Sequence, residues 1–258
     1  MNDEKNSLIE VSMNNLYYPM KVMSRNIYNG ESSIVNISMS TLIEPKHEAE
    51  FASNIMKIIN DRKEYIGPNQ LSKKIFDYTN SINGVKTNIS FEYPYFISNR
   101  LNDANNEITK CFCTYSIEKK ILSGYKRSYK VVVPVIMYHT LFSLINAPLD
   151  SPIEIVVEFE GDDTIFTEDI VEIVENSIIK IISNSIINDN TNSNENKINF
   201  KIKIIEDVKN SLLSKFNIDH CSIKAINQQL LYLYSAETVQ TEDKIKAVGV
   251  YKLEQIFN

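Results

Sequence analysis

Ile153-Glu154-Ile155-Val156-Val157-Glu158-Phe159-Glu160-Gly161-Asp162-Asp163-Thr164-Ile165-Phe166-Thr167-Glu168-Asp169-Ile170 changes its period once, and that change decides the fold class. Ile153, Ile155, Val157 and Phe159 alternate with Glu154, Glu158 and Glu160, which is the two-residue period of a strand with one wet face. Gly161-Asp162-Asp163 turns the chain. Beyond the turn Ile170, Ile173, Val174, Ile178 and Ile181 recur at helical spacing. Thr167 is the expected N-cap, and Glu168 and Asp169 stand in the first turn, where the positive end of the helix dipole favours them. A half-exposed strand feeding an amphipathic helix points to the α+β class.

The same grammar extends in both directions. Upstream, Tyr129 to Tyr138 reads as a strongly buried strand. Downstream, a polar stretch from Asn188 to Asn199 is expected to interrupt the helix. A further helix then carries Ile205, Val208, Leu212 and Phe216, followed by two strand-like segments, Ser222 to Asn227 and Leu230 to Val239.

In the first half, a turn at Asn29-Gly30 precedes Val35, Ile37 and Met39, which alternate with Asn36, Ser38 and Ser40. Two helical stripes follow: Phe51, Ile55, Ile58, Ile59, and then Leu71, Ile75, Tyr78, Ile82, the second opening after Gly67-Pro68 and stopping at Asn83-Gly84. Ile89, Phe91 and Tyr93 begin the next strand, and Ile108 to Ile117 forms another. Both halves thus read strand, strand, helix, helix, strand, strand. The division falls near Ser123-Gly124, giving units 1–123 and 124–258. Each unit is expected to be an antiparallel four-stranded sheet with two helices on one face, whose open edges invite lateral pairing and a homo-oligomer.

With 258 residues, 43% of them hydrophobic, the chain can bury a full core, and three cysteines, Cys111, Cys113 and Cys221, are too few for a disulfide framework. A polar, acidic N-terminus carries no secretory pattern, so the expected location is cytoplasmic. The longest apolar run, Val131 to Tyr138, is broken at Pro134 and falls short of a membrane span. A net charge of -6 disfavours nucleic acid as a partner, although Lys119-Lys120 and Lys126-Arg127 form a small basic patch.

Four segments carry a resemblance, in order along the chain: Val11-Ser12-Met13-Asn14-Asn15-Leu16-Tyr17-Tyr18-Pro19-Met20, Phe91-Glu92-Tyr93-Pro94-Tyr95-Phe96-Ile97, Val131-Val132-Val133-Pro134-Val135 and Ile204-Ile205-Glu206-Asp207-Val208. Together they resemble the bacterial type IB GTP cyclohydrolases, members of the tunnelling fold, whose tandem units have the element order read above. The resemblance implies a family that handles purines and pterins in folate biosynthesis with a bound divalent metal.

The departures from that family are pointed. His139 stands where the family has a metal-binding cysteine, and Asn146-Ala147-Pro148-Leu149-Asp150 replaces a segment that holds a histidine. Tyr232 and Tyr234 replace the two histidines of its C-terminal motif, and Gln229 replaces the purine-anchoring glutamate. Tyrosine, with a pKa near 10, is a poor metal ligand at neutral pH, so no metal and no other cofactor is expected.

The resemblance thus implies a binding or oligomeric partner subunit without GTP cyclohydrolase activity, forming a homo-oligomer or a hetero-oligomer with an intact paralogue. The alternative is a hydrolase with altered, metal-independent chemistry on a purine or pterin-like ligand. In either case His139 is the catalytic candidate, and Gln229, Tyr232 and Tyr234 are the ligand-binding candidates. Other reactive residues have plainer readings. His47 reads as a solvent-facing residue of a first helical turn, Cys111 and Cys113 share one strand face without a second ligand pair, and His220 and Cys221 face opposite ways.

Overall fold

A computed structural model describes residues 7–60, 67–98, 108–120, 124–135, 153–161, 165–187, 194–227 and 233–238. These residues form a mixed α and β structure with eight strands and four α-helices, and strand order follows chain order from the first strand to the last. The chain divides into two compact units, Met1–Pro94 with Thr114–Ser128, and Tyr95–Cys113 with Tyr129–Asn258.

The first unit opens with β1 (Ile9–Val22), antiparallel to β2 (Glu31–Ile43). Their connection closes on Gly30, whose φ is +71° and whose N–H donates to Ile27 O at 2.8 Å. A Cβ there would stand 2.6 Å from Val22 O, so no side chain fits. In β1 the pairing shifts between Met13 and Leu16, so that two intervening residues, Asn14 and Asn15, oppose Ser38 alone. Asn15 takes the left-handed conformation, φ 59°, and the extra residue forms a β-bulge. The bulge keeps Ile9, Val11, Met13, Leu16, Tyr18, Met20 and Val22 on the better-covered face, although their spacing breaks strict alternation.

After a 3-10 turn at Pro45–His47, in which His47 is partly covered, α1 (Glu48–Asn60) buries Phe51, Ile55 and Ile59 at four-residue spacing. Burial of each stabilises the fold by about 1.5–3 kcal/mol. α2 (Pro68–Ser81) starts with Pro at its first position, where a missing N–H costs nothing, and buries Leu71, Ser72, Ile75, Phe76 and Thr79. It ends in a Schellman motif: Asn83 is left-handed at φ 56°, and the Gly84 N–H donates to Thr79 O at 2.7 Å.

β3 (Lys86–Ser98) pairs antiparallel with β2, and β4 (Ile108–Lys120) follows it. Val35, Ile37, Met39, Ile89, Phe91 and Ile117 line the buried face. Two tyrosine–asparagine bonds tie the helices to the strands. Tyr18 of β1 donates to Asn60 Oδ1 at the end of α1, and Tyr115 of β4 donates to Asn69 Oδ1 at the start of α2, at 2.5 Å.

The second unit holds the far parts of β3 and β4 and most of the buried half of β5 (Gly124–Val135), with β6 (Ile153–Glu160), β7 (His220–Asn227) and β8 (Leu233–Thr238). β6 and β7 pair antiparallel, with Phe159, Val157 and Ile155 opposite Cys221, Ile223 and Ala225 on the covered face. β8 is antiparallel to β7.

α3 (Thr167–Ile187) and α4 (Asn194–Lys215) are joined by Lys180 to Asp207 and by Lys215 to Asp169 at 3.2 Å. The second pair sets a carboxylate at the start of one helix against an ammonium at the end of the other, each favoured by its helix dipole. From Thr167 to Ile178 only Glu172 and Asn176 reach solvent, so α3 is covered nearly all round.

Two sequence expectations are corrected here. The break expected from Asn188 to Asn199 ends sooner, because one helix closes at Ile187 and Asn194 already lies in α4. Thr167 is the first residue of α3 rather than its cap. The Phe166 N–H donates to Asp169 Oδ2 at 3.3 Å, and Phe166 O accepts from the Asp169 N–H at 3.1 Å, which makes Phe166 the capping residue. β1, which periodicity alone passes over, is the longest strand described.

Candidate functional site

His139, Gln229 and Tyr232 lie outside the described residues, and Tyr234 belongs to β8, where it pairs with Ala225 of β7. The chemistry-bearing side chains that the described residues do bring together lie in the second unit, between β3, β4 and the first two turns of α3. Tyr95 Oη donates to Glu168 Oε1 at 2.6 Å, and Glu168 is only 2% exposed. On the neighbouring strand Cys113 Sγ lies 3.4 Å from Thr167 Oγ1. Cys111, two residues earlier on the same face, feels the Glu175 carboxylate, and Cys113 feels that of Glu168. Glu168 and Glu175 stand seven residues apart, two helical turns, which puts them on one stripe of α3 facing β4.

Burial dominates the electrostatics. It pushes both thiols up from 9.0 to about 12; Cys113 and Glu175 push Cys111 the same way, while the Thr167 hydroxyl opposes the rise at Cys113. Cys221 rises to about 11, again by burial, partly offset by Lys209. Thiols so far from ionisation are poor nucleophiles and poor metal ligands at neutral pH. No group of three or more His, Cys, Asp or Glu among the described residues is arranged to hold a metal ion. The buried seam is therefore a set of internal hydrogen bonds that fixes α3 against the strands. The sequence signal for it was the pair Cys111 and Cys113 on one strand face together with Glu168 and Asp169 after the turn, but nothing in the spacing says that these segments meet.

The basic patch expected on β4 and β5 is largely engaged. Lys119 donates to Asn80 Oδ1 at 2.7 Å and lies over the rings of Phe76 and Tyr125. Lys120 and Lys86 flank Glu118, at 2.8 and 3.0 Å, and hold its carboxyl below the usual carboxylate range, the hydrogen bond from Lys120 contributing most. Among the described residues no helix is long and apolar enough to cross a membrane.

No family model matches the chain, and no curated protein is similar to it. Similar solved structures include a uricase from Arthrobacter globiformis, with TM-score 0.47 and 8% identity, covering 93% of this chain and 96% of that one. A highly active BTUO mutant gives TM-score 0.45 and 8% identity, covering 96% of each chain, and a uricase from Bacillus fastidious gives 0.39 and 7%, covering 96% and 90%. The resemblance to the type IB GTP cyclohydrolases is thereby overturned, since no family model, theirs included, matches the chain. Its segments fail for a physical reason: three of the four are apolar strand residues beside a Pro, which recur in buried strands and here fall in β1, β3 and β5, and the fourth, Ile204 to Val208, is one turn of α4 that buries Ile204, Ile205 and Val208, so packing alone accounts for all four.

Proposed function

We propose that the chain is a binding and assembly subunit built from tandem units, forming homo-oligomers by lateral pairing at a sheet edge. The observation that carries this reading is β1. It is 14 residues long and, among the described residues, stands at the end of the strand order with β2 as its one neighbour, so no described strand pairs with its outer side. An edge ladder of that length is a template for a further strand. Ile9–Met13 is its regular stretch. Beyond it the bulge at Asn15 bends the strand, and Pro19 has no N–H to offer.

The partner that suits this stretch is a second copy. In an antiparallel pair centred on Val11, Ile9 meets Met13 and Glu10 meets Ser12, so apolar faces apolar and no like charges oppose. Supporting the same reading, the buried thiols are protonated and Glu168 is engaged by Tyr95, which ties these reactive groups to the fold. The test is light scattering on the chain and on a variant carrying both Glu10→Lys and Ser12→Lys, which sets lysine against lysine across the edge. A dimer or larger assembly that falls to a monomer in the variant, with circular dichroism unchanged, is the expected result. A wild-type monomer at micromolar concentration refutes the proposal.

A further inference from the structure

We propose that Tyr17, Asn36 and Glu92, a transverse row on the open face of β1, β2 and β3, recognise a guanidinium group, the head of an arginine side chain on a partner molecule. Tyr17 is directly opposite Asn36, and Asn36 is directly opposite Glu92. All three lie in the first unit and on the face away from α1 and α2, since their strand neighbours Val35, Ile37 and Phe91 are the buried ones. The inference stands apart from edge pairing, because Tyr17 lies past the bulge.

The chemistry of the row is one-sided. Tyr17 is 65% exposed and offers a ring face. Glu92 is exposed, and its one partner among the described residues is the Asn36 amide, at 3.4 Å, a long bond that is easily exchanged. Asn36 Oδ1 is shut off from solvent and accepts no hydrogen bond among the described residues. The row therefore presents one exposed carboxylate, that of Glu92, beside the exposed ring face of Tyr17, and the complement of an anion next to a π face is a planar cation. A guanidinium has five donors, no acceptor and a flat face that stacks on aromatic rings.

The spacing suits it. Neighbouring strands lie about 4.8 Å apart, so Tyr17 and Glu92 stand roughly 10 Å from each other on either side of Asn36, a span that one guanidinium bridges above Asn36 with an edge on the carboxylate and a face near the ring. One step along, Ile34 is 62% exposed and lies opposite Pro19, an apolar rail for the methylene stem of an arginine. The net charge of -6 draws cations to the surface. A lysine ammonium matches less well, as a point charge without a plane.

The experiment titrates acetyl-arginine amide into the full chain and follows the side-chain amide of Asn36 by nitrogen-15 NMR, with acetyl-lysine amide and acetyl-citrulline amide as controls. Citrulline keeps the plane and removes the charge. The expected result is a saturable shift with arginine and binding at least about threefold weaker for both controls. Tyr17→Leu and Glu92→Gln should each weaken the arginine complex by about two- to fivefold, the size of an exposed cation–π or ionic contact, with unchanged melting temperatures. No saturable shift at tens of millimolar, equal binding of lysine or citrulline, or full affinity in both variants would each overturn the assignment.

Discussion

Tyr95 on β3 and Glu168 in the first turn of α3 share a hydrogen bond of 2.6 Å in a place where neither side chain meets water. The carboxylate sits at the positive end of α3, and the phenol donates to it, so one contact satisfies a buried acceptor and pins the start of the helix to the strand. Removing the donor leaves the acceptor in a site that water does not reach. Tyr95→Phe is expected to lower stability by about 1–3 kcal/mol, the cost of depriving a buried polar group of a partner. Urea unfolding checks it, and the double variant with Glu168→Leu should cost less than the sum of the two single ones if the bond carries the effect.

The buried thiols make stability fall in alkali. Cys111 and Cys113 ionise at about 12 when folded and near 9.0 when exposed, so between those values the folded chain holds protons that the unfolded chain has released. By linkage, their contribution is whole below about pH 9 and declines as pH climbs towards 12. The unfolding midpoint measured at a series of alkaline pH values should fall, and Cys113→Val should flatten the decline. In the same chain at pH 8, a thiol reagent should label these two cysteines only after unfolding.

Asn15 holds a left-handed backbone at the bulge of β1. Asn15→Val forces a branched side chain into that conformation and is expected to cost about 1–2 kcal/mol, whereas Asn15→Gly should be neutral or mildly stabilising. Thermal melts of the two variants, compared with Asn14→Val as a control at the neighbouring position, give the answer.

Lys180 and Asp207 form an ion pair between α3 and α4, with the lysine side chain 61% exposed. Water and salt screen such a pair, so Lys180→Met should change stability by less than about 1 kcal/mol. Phe159→Ala, which empties a site packed against Tyr129 at 5.1 Å, should cost about 3–5 kcal/mol. The ratio of the two in denaturant unfolding tests whether packing or surface charge holds the second unit together.

Elements with uninterrupted periodicity were legible in the sequence. Val35, Ile37 and Met39 gave β2, Phe51, Ile55 and Ile59 gave α1, and Asn83-Gly84 marked the end of α2, because each signal is local and agrees with the packing. β1 was not legible from periodicity, since Asn14-Asn15 offsets its apolar residues by one and the pattern ceases to alternate. The first turns of α4 hid behind Asn194, Asn196 and Asn199, residues of low helix propensity that are nonetheless held in helix here. The residues singled out for function, His139, Gln229 and Tyr232, fall outside the described ones. The buried seam of Tyr95, Cys111, Cys113, Glu168 and Glu175 depends on contacts between segments more than fifty residues apart, which no local pattern encodes.

The bulge at Asn14-Asn15 also acts as a frameshift written into protein rather than nucleic acid. Odd-numbered residues of β1 face inward before it and even-numbered ones after it. Delete one asparagine and the two phases merge: a single residue is left opposite Ser38, and Ile9, Val11, Met13, Leu16, Tyr18 and Met20 fall into strict alternation on the same face. A point deletion here would therefore be read by the sheet as an erased bulge, whereas the same deletion within Ile9–Met13 or Leu16–Val22 would put part of the strand out of phase.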